Sequence, residues 1–395
     1  MKEMNERPNC GNGTEKIKVL QVNKLYYPWT GGVERVVQQL AEGLCDKTDM
    51  KVLVCQAKGR TKVETVNNVR VYKAGSLGIY FSMPISLSFI RHLRKLSKDR
   101  DVIHFHMPFP LGDLACLLSG FKGKVVVWWH SDIVRQKCLM MFYRPIMEQF
   151  LERADAIIVA TQGHIDGSEY LPKYRSKCVI IPYGVDGDVE KRADSYWECP
   201  RPRHNQTVKM LFVGRLVYYK GCDVLIEAFK KVKGAELMII GDGALKAPLQ
   251  RKVKSYGLEN KVTFLGNVSD ERLNQAFEEC DVFVLPSVAK SEAFGLVQIE
   301  AMAYGKPVIN TMLPSGVPHV SLDHITGLTV PPNDAEALAN AMQWMVDREE
   351  ERLQMGKRAR ERVKKNYRLD VMLNRILDLY NQLVSKERNK SENSI

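Results

Sequence analysis

Two glutamates bracket an almost wholly apolar stretch in the second half of the chain. Glu292 and Glu300 lie in SEAFGLVQIEAMAYGKPV, and Gln298 is the one strongly polar residue between them. Eight residues along a helix turn through about 800°, roughly 80° past two full turns, so the two carboxylates do not stack on one helix face. We expect Glu292 on a loop and Glu300 inside the following helix. The spacing therefore predicts two separate binding roles and argues against an acid/base pair.

The start of that helix is itself a candidate anion site. Its first N–H groups, at Phe294, Gly295 and Leu296, have no intrahelical partners and lie at the positive end of the helix dipole. They can receive a phosphate, while the two carboxylates can accept hydrogen bonds from sugar or ribose hydroxyls. The same sequence would also result if one residue were only an N-cap and the other an ordinary surface glutamate, and that structural alternative stays open.

Two cations precede this region on a glycine-flanked loop. Arg215 and Lys220 lie in VGRLVYYKG, between a predicted strand and the helix CDVLIEAFKKV. Two fixed cations beside a glycine turn can neutralise a diphosphate and stabilise the charge that grows on it as a bond breaks. Surface arginines and lysines are common, so the loop between a strand and a helix is what favours the functional interpretation.

Two loops of the first half carry further candidates. Gly31 and Gly32 open a helix in YYPWTGGVERVV, where bare backbone can approach an anion, although a tight turn without a ligand needs the same residues. His130 follows the apolar strand KVVVWW in the motif HSD. Isolated histidines are usually structural, but the carboxyl end of a strand favours function in this architecture. His104 and His106 end a neighbouring strand and are weaker candidates, because no partner motif follows them.

Short β-branched strands alternate with helical patterns along the whole chain. This alternation predicts an α/β protein with two doubly wound, Rossmann-like parallel sheets, one in each half, and sites just after the strands. The predicted organisation is a disordered segment over 1–16, a first domain over 17–190, a linker over 191–206, a second domain over 207–367, a helix over 368–386 that crosses back to the first domain, and a tail over 387–395.

Composition limits the class of partner. The 395 residues carry a net charge of +12, which favours an anionic partner, but no nucleic-acid-binding motif accompanies it. No apolar run has the length of a signal peptide or a membrane span, and the nine cysteines show no paired spacing, so we expect a cytoplasmic protein with reduced cysteines.

A cluster of basic residues interleaved with apolar ones indicates a further surface. It contains Arg91, Arg94, Lys95 and Lys98 in SFIRHLRKLSKDR. Such a segment can lie on the inner face of the cytoplasmic membrane, or it can pack its apolar stripe on the sheet and leave its cations in water. Both interpretations stay open.

One acidic motif invites a metal. Asp186 and Asp188 form a D-x-D pattern, whose two carboxylates could hold a divalent ion. Here the pattern falls in the predicted connector, away from the phosphate loops, and no Cys/His cluster has zinc spacing. We expect no metal and no other cofactor.

Taken together, the E-x7-E motif, VGRLVYYKG, the early GG loop and HSD resemble the retaining glycosyltransferases of family 4 over about residues 17–384. The resemblance implies the GT-B fold, in which two Rossmann-like domains face each other across a cleft, with the acceptor on the first domain and the nucleotide sugar on the second.

The resemblance also implies residue roles. Arg215 and Lys220 would bind the diphosphate, Glu292 the transferred sugar and Glu300 the ribose. The remaining implied contacts are Phe294, Gly295 and Leu296 for sugar and phosphate, Gly31 and Gly32 for phosphates or acceptor, His130 for the reacting sugar, and Gly266 to Val268 for the base.

The similarity to bacterial O-antigen and capsule mannosyl- and rhamnosyltransferases favours a hexosyltransferase. GDP-mannose is the favoured donor, and a lipid-linked or polysaccharide acceptor is expected. A UDP-sugar-dependent transferase of the same fold and a non-catalytic nucleotide-sugar-binding protein are the alternatives. The four residues Glu292, His130, Arg215 and Lys220 argue against the second.

Overall fold

A computed structural model describes residues 16–29, 31–80, 83–133, 137–198 and 207–392. Two parallel sheets, each flanked by helices, organise this part of the chain. Continuous apolar runs such as VVVWW form strands that are covered on both faces, as parallel strands are. The predicted α/β class is therefore confirmed.

The first sheet has eight strands in the order β10-β9-β8-β7-β1-β2-β4-β3, parallel except where β3 pairs with β4. A separate two-stranded hairpin, β5 and β6, lies before the second helix. The strands are β1 (Lys18–Val22), β2 (Asp49–Cys55), β3 (Lys62–Val66), β4 (Val69–Ala74), β5 (Ile79–Tyr80), β6 (Met83–Pro84), β7 (Val102–Met107), β8 (Lys124–Trp129), β9 (Ala156–Val159) and β10 (Cys178–Ile180).

The second sheet has six parallel strands in the order β13-β12-β11-β14-β15-β16. Its first strand in the chain, β11, lies near the centre, so the loops that follow β11, β12 and β14 meet at one edge. The strands are β11 (Val208–Val213), β12 (Ala235–Ile240), β13 (Val262–Gly266), β14 (Val282–Val284), β15 (Val308–Thr311) and β16 (Gly327–Val330).

Helices cover the faces of both sheets. In chain order they are α1 (Gly32–Leu44), α2 (Ser88–Leu96), α3 (Pro110–Ser119), α4 (Lys137–Arg153), α5 (Gln162–Asp166), α6 (Gly187–Glu198), α7 (Cys222–Phe229), α8 (Lys246–Ser255), α9 (Asp270–Glu279), α10 (Leu296–Ala303), α11 (Val317–Val320), α12 (Ala335–Asp347), α13 (Glu349–Asn366) and α14 (Leu369–Glu392). Among the described helices, none is long and apolar enough to cross a bilayer.

The last helix reaches the first sheet. Tyr380 of α14 is buried and hydrogen-bonds with Gln21 of β1 and His104 of β7. The helix continues to Glu392, past the predicted end at residue 386. Residues 191–198 of the predicted linker belong to α6, and the rest of that linker, like residues 1–15, lies outside the described residues.

Some elements carried too weak a pattern to be predicted. The edge hairpin β3–β4 turns on Asn67 and Asn68, both with positive φ (44° and 67°), as a two-residue hairpin turn requires. Strand β16 is four residues long, and α3 begins with Pro110 after a strand end. These elements are stabilised by their neighbours in the sheet, so local periodicity alone does not reveal them.

Candidate functional site

The loop after β11 is shaped by glycines. Gly221 has φ 70° and precedes α7, and a Cβ built on it would lie 1.9 Å from the carbonyl oxygen of Pro286. This left-handed position therefore tolerates only glycine, which lets the loop approach the exit of β14. The close approach brings Lys220 beside the segment that carries Glu292.

Lys220 and Glu292 form a nearly buried ion pair. Lys220 Nζ lies 2.6 Å from Glu292 Oε2, and the two side chains are 13% and 9% exposed. Ser287 Oγ donates to the same carboxylate oxygen at 3.0 Å. Arg215 extends from the same loop, exposed, and donates from Nη2 to the hydroxyl of Tyr219 at 2.9 Å. Two cations and one acid thus lie at the carboxyl edge of the second sheet.

Helix α10 begins against the first domain's glycine loop. Gly295, its N-cap, has φ 72°, and Phe294 is buried. A Cβ built on Gly32 would lie 3.6 Å from Leu296 Cδ1, so the GG loop that opens α1 faces the amide end of α10. A phosphate between them would meet N–H groups from the starts of two helices.

Glu300 is buried about one turn into α10, on the side that faces α1. Arg35 Nη1 lies 3.7 Å from Glu300 Oε1, and Arg35 Nη2 lies 3.1 Å from Asp186 Oδ2. These residues line a cleft of about 260 Å³. Burial raises the pKa of Glu300 to about 7, with Asp186 and Asp270 adding to the rise and Arg35 opposing it.

His130 is buried at the end of β8, and both of its ring nitrogens are hydrogen-bonded within the protein. Nδ1 lies 2.7 Å from the hydroxyl of Tyr183, and Nε2 lies 3.0 Å from His106 Nδ1. The imidazole stacks on Trp128 with ring centroids 5.4 Å apart. Burial lowers the pKa of His130 well below its usual value, so the ring is neutral. Tyr183 contacts Phe294 edge-on at 4.8 Å, which links His130 to the start of α10.

The last residue of the HSD motif, Asp132, holds the loop in place. Asp132 accepts hydrogen bonds from Trp129 Nε1 (3.0 Å), Ser168 Oγ (2.7 Å) and the backbone N–H of Glu169 (3.1 Å). Lys290, two residues before Glu292, reaches across to Glu169 at 2.7 Å. Lys290 Nζ also lies 3.8 Å from Asp132 Oδ2, so the E-x7-E segment contacts both the loop after β8 and the segment after α5.

The predicted base site lies at the ends of adjacent strands. Gly266 ends β13 with φ 67°, and its carbonyl accepts from Gly241 N–H at the end of β12. Gly241 in turn approaches Gly214, whose oxygen would lie 2.0 Å from a Cβ at position 241. Val268 follows, half-buried. The residues predicted to hold the base are thus connected to the Arg215 loop through neighbouring strand ends.

Comparisons with known proteins now decide the family. The model for Glycosyltransferase Family 4 matches residues 30–189, and the model for Glycosyl transferases group 1 matches residues 200–362. The O-antigen chain mannosyltransferase C of Escherichia coli is 33% identical, over 94% of this chain and 100% of that protein. The chain is a family 4 glycosyltransferase. The D-rhamnosyltransferase WbpZ of Pseudomonas aeruginosa is 34% identical, over 88% of this glycosyltransferase and 91% of the relative.

Solved structures agree on the fold of this glycosyltransferase. Sucrose-phosphate synthase from Thermosynechococcus elongatus superposes with a TM-score of 0.72 at 23% identity, over 94% of this chain and 100% of that one. Anabaena HepE in complex with UDP and glucose also gives 0.72, at 18% identity, over 93% and 100%. The GT-B fold is therefore confirmed.

The D-x-D pattern of the glycosyltransferase has a structural explanation. Asp186 accepts from the N–H of Asp188 at 3.0 Å, next to the start of α6, and pairs with Arg35. Asp188 is 87% exposed and lies near Lys191. Within the described ranges, no group of three His, Cys, Asp or Glu side chains is placed to hold a metal ion.

The structure gathers most of the predicted site residues and adds residues that the sequence motifs did not indicate. Arg215, Lys220 and Glu292 lie on neighbouring loops, while the basic residues of α2 lie elsewhere, on a flank of the first sheet. Arg35 was missed, although it stands three residues after the GG pair. Gln21 was also missed, and His104 and His106 were rated as weaker candidates, because the alternation in VIHFH indicates a shared sheet face but not what covers it.

Proposed function

We propose that this glycosyltransferase transfers a hexose from a nucleotide-diphosphate sugar, with GDP-mannose the favoured donor, to a lipid-linked or polysaccharide acceptor in bacterial surface glycan synthesis. The observation that carries the transferase chemistry is the Lys220–Glu292 pair beside Arg215 at the start of α10. The donor sugar rests on the relatives: the two that are 33% and 34% identical are named for mannosyl and rhamnosyl transfer.

The charges account for departure of the diphosphate. As the bond to the anomeric carbon breaks, negative charge grows on the phosphate oxygen, and Arg215, Lys220 and the N–H groups at the start of α10 stabilise it. Glu292 Oε2 lies 2.6 Å from Lys220 Nζ. When donor binds, Lys220 turns to the phosphate and Glu292 accepts from the sugar hydroxyls, so each charge exchanges one partner for another.

Retention follows if the acceptor hydroxyl attacks on the face that the phosphate leaves, with the phosphate oxygen taking the proton. His130 does not supply a free base for this step, because both ring nitrogens are hydrogen-bonded to Tyr183 and His106. Glu292, paired with Lys220, is placed to hold the sugar. The proposed step therefore needs no side-chain base and no metal.

The acceptor side includes a basic surface that we propose contacts anionic lipid. The apolar stripe of α2, formed by Phe89, Leu93 and Leu96, is buried in the core and is not available to a membrane. Its cations Arg91, Arg94 and Lys95 are exposed, and so is Lys98 just after the helix. The segment just before α2 adds exposed apolar side chains at Leu77, Tyr80, Ile85 and Leu87.

The decisive experiment combines binding with turnover. Purified protein is screened for thermal stabilisation by GDP-mannose, GDP-rhamnose and a set of UDP-sugars, because a ligand that binds the native state raises its stability. We expect GDP-mannose to give the largest shift and to be turned over, slowly by water and faster with a lipid-linked glycan. If only a UDP-sugar stabilises the protein, the donor is a UDP-sugar and not GDP-mannose.

The Glu292→Ala variant separates catalysis from binding. We expect it to keep measurable nucleotide binding, since Arg215 and Lys220 remain, but to lose turnover. If the native protein binds a donor but neither hydrolyses nor transfers it, the alternative of a non-catalytic nucleotide-sugar-binding protein would hold.

The need for a metal is tested with a chelator. We expect transfer to persist in excess chelator, as a metal-independent reaction requires. Loss of transfer that is recovered on adding Mg²⁺ would contradict that part of the proposal.

A further inference from the structure

A continuous chain of buried hydrogen bonds runs through the first sheet from Tyr183 to His104. In order, its links are Tyr183 Oη to His130 Nδ1 (2.7 Å), His130 Nε2 to His106 Nδ1 (3.0 Å), His106 Nε2 to Gln21 Oε1 (2.8 Å), Gln21 Nε2 to Tyr380 Oη (3.0 Å) and Tyr380 Oη to His104 Nδ1 (2.6 Å). All six side chains are buried. The chain therefore joins the last helix, α14, to the histidine at the cleft.

Strand register explains why these polar groups meet. Gln21 of β1 lies opposite His104 of β7, and His106 lies opposite Trp128 of β8. Alternate residues of a strand point to one face, so His104 and His106 share a face with Gln21 and Trp128. Helix α14 contributes Tyr380 to the same chain.

Once the orientation of the Gln21 amide is given, the donor and the acceptor of every bond in the chain follow. Gln21 Oε1 only accepts, so His106 Nε2 carries the proton. Burial lowers the pKa of His106 to about 3, so the ring is neutral and its Nδ1 accepts from His130 Nε2–H. The neutral His130 then has a bare Nδ1, to which the Tyr183 hydroxyl donates.

The other end of the chain obeys the same rule. Gln21 Nε2 donates to the Tyr380 oxygen, which leaves the Tyr380 hydroxyl proton to go to His104 Nδ1. Rotating the Gln21 amide by half a turn would reverse all five bonds and move the His130 proton to Nδ1. The tautomer of His130 is thus tied to groups on β1 and α14, well away from its own loop.

We propose that Gln21 and Tyr380 are positioning residues for glycosyl transfer, which hold His130 as the neutral tautomer protonated on Nε2 and fix its ring in the cleft wall. The kinetic consequence rests on the proposed function, because the family resemblance sets His130 beside the reacting sugar. The tautomer itself rests on the orientation of the Gln21 amide and on the hydrogen bonds that follow from it. Orientation of a site histidine by remote hydrogen bonds affects rate more than substrate binding.

The first test needs neither substrate nor donor. The full chain is labelled with ¹⁵N at the histidine rings, and the His130 and His106 signals are assigned by their loss in His130→Gln and His106→Gln variants. We expect both rings neutral, with protons on Nε2 and bare Nδ1 atoms. A His130 signal protonated on Nδ1, or an equal mixture, would overturn the proposal whatever the protein transfers.

The second test breaks the chain at α14. In Tyr380→Phe, the Gln21 amide loses its acceptor and no longer has a fixed orientation, so we expect the His130 signal to divide between tautomers. With the donor found in the screen, kcat should fall about tenfold and KM should change by less than about threefold. Should this variant not fold, the spectrum of the native protein still decides the tautomer.

Tyr174→Phe is the matched control. Tyr174 is also buried in the first domain, and its hydroxyl donates to the Glu148 carbonyl at 3.2 Å, outside the chain. The control should leave both the tautomer and kcat as in the native protein. Equal losses of kcat in the two variants, with an unchanged His130 spectrum, would show that Tyr380 acts only through stability.

Discussion

At the scale of single residues, two cations of the site each lie beside an acidic side chain. Lys220 is held by Glu292, and Arg35 lies between Asp186 and Glu300. An isolated charge is costly to hold away from water, and an oppositely charged partner lowers that cost. In the proposed complex, Lys220 would exchange Glu292 for the donor phosphate, and Glu292 would exchange Lys220 for the sugar hydroxyls, so neither charge would be left without a partner.

Replacing Lys220 by methionine tests the proposed role in leaving-group stabilisation. We expect kcat/KM to fall by roughly 10²–10³-fold, about 3–4 kcal/mol, as for loss of one preorganised charge donor. The matched change is Lys252→Met, which removes an exposed pair with Asp223 at 2.8 Å. That control should leave steady-state kinetics unaltered. An unchanged kcat/KM for Lys220→Met would remove Lys220 from the site.

The pH dependence of donor binding should report Glu300. Its pKa is raised to about 7, so the carboxyl is half protonated at neutral pH. Ribose hydroxyls donate to the ionised form, so donor KM should rise as pH falls from 8 to 6. The donor phosphates are diesters and stay ionised throughout. In Glu300→Gln, KM should be about tenfold higher at pH 8 and flat with pH; a slope that survives this change would assign the titration elsewhere.

The raised pKa of Glu300 also makes the free energy of unfolding depend on pH, and proton linkage gives the direction of that dependence. Between about pH 4.5 and 7 the folded chain holds a proton on Glu300 that the unfolded chain has released. The contribution of Glu300 to the free energy of unfolding therefore decreases as pH rises through that window. Urea unfolding midpoints of the native protein and Glu300→Gln, compared at pH 5 and pH 8, should converge at the lower pH.

At the scale of elements, helix starts and glycine turns place the charges. Helices α7 and α10 both begin after a glycine in the left-handed region, at Gly221 and Gly295. Each glycine ends a connection from a strand to a helix, of eight residues (214–221) after β11 and eleven (285–295) after β14. The site geometry consequently depends on backbone conformations that residues with a Cβ rarely adopt.

Gly221→Ala should destabilise the protein more than a matched alanine at Gly257. Both glycines have similar φ (70° and 65°), but a Cβ at Gly221 meets the Pro286 oxygen, whereas one at Gly257 meets nothing within 4 Å. We expect a loss of about 1 kcal/mol for Gly257→Ala from backbone strain alone. The clash should bring the loss to about 3 kcal/mol for Gly221→Ala. Equal denaturation midpoints would show that the loop adapts without strain.

At the scale of the whole molecule, the two sheets are connected by side chains as well as by the chain itself. Lys290 reaches Glu169, Arg35 reaches Glu300, and Tyr380 brings α14 onto the first sheet. The first two contacts lie beside the predicted donor site. A donor that displaces Arg35 from Glu300 would change how the two sheets are held together.

The proposed lipid contact is also a property of the whole surface. A triple variant with Arg91, Lys95 and Lys98 changed to glutamine should lose most sedimentation with phosphatidylglycerol vesicles at low salt, because each surface cation adds about 1 kcal/mol of attraction. Arg94 is left unchanged, since it bonds the Leu118 carbonyl. The control changes Arg251, Lys254 and Lys261, which are exposed on the second sheet's side. Equal loss in both variants would indicate net charge alone.

Much of the architecture was readable from the sequence, because each apolar run and each helical stripe is a local pattern. The strand candidates of both halves became β1, β2, β7 to β15, and the E-x7-E spacing separated Glu292 from Glu300 as expected. The candidate residues predicted on the loops after strands lie near one another, since parallel sheets gather their carboxyl ends at one edge.

The pairings were decided only by tertiary structure. No local pattern indicates that Lys220 meets Glu292, that Arg35 faces Glu300, or that Tyr380 reaches Gln21 across more than three hundred residues, with a sequence separation of 359. Sequence fixes which residues lie at a strand end or on a helix face, since those depend on neighbours along the chain. Which charge meets which depends on how sheets and helices pack, and that is settled by the fold as a whole.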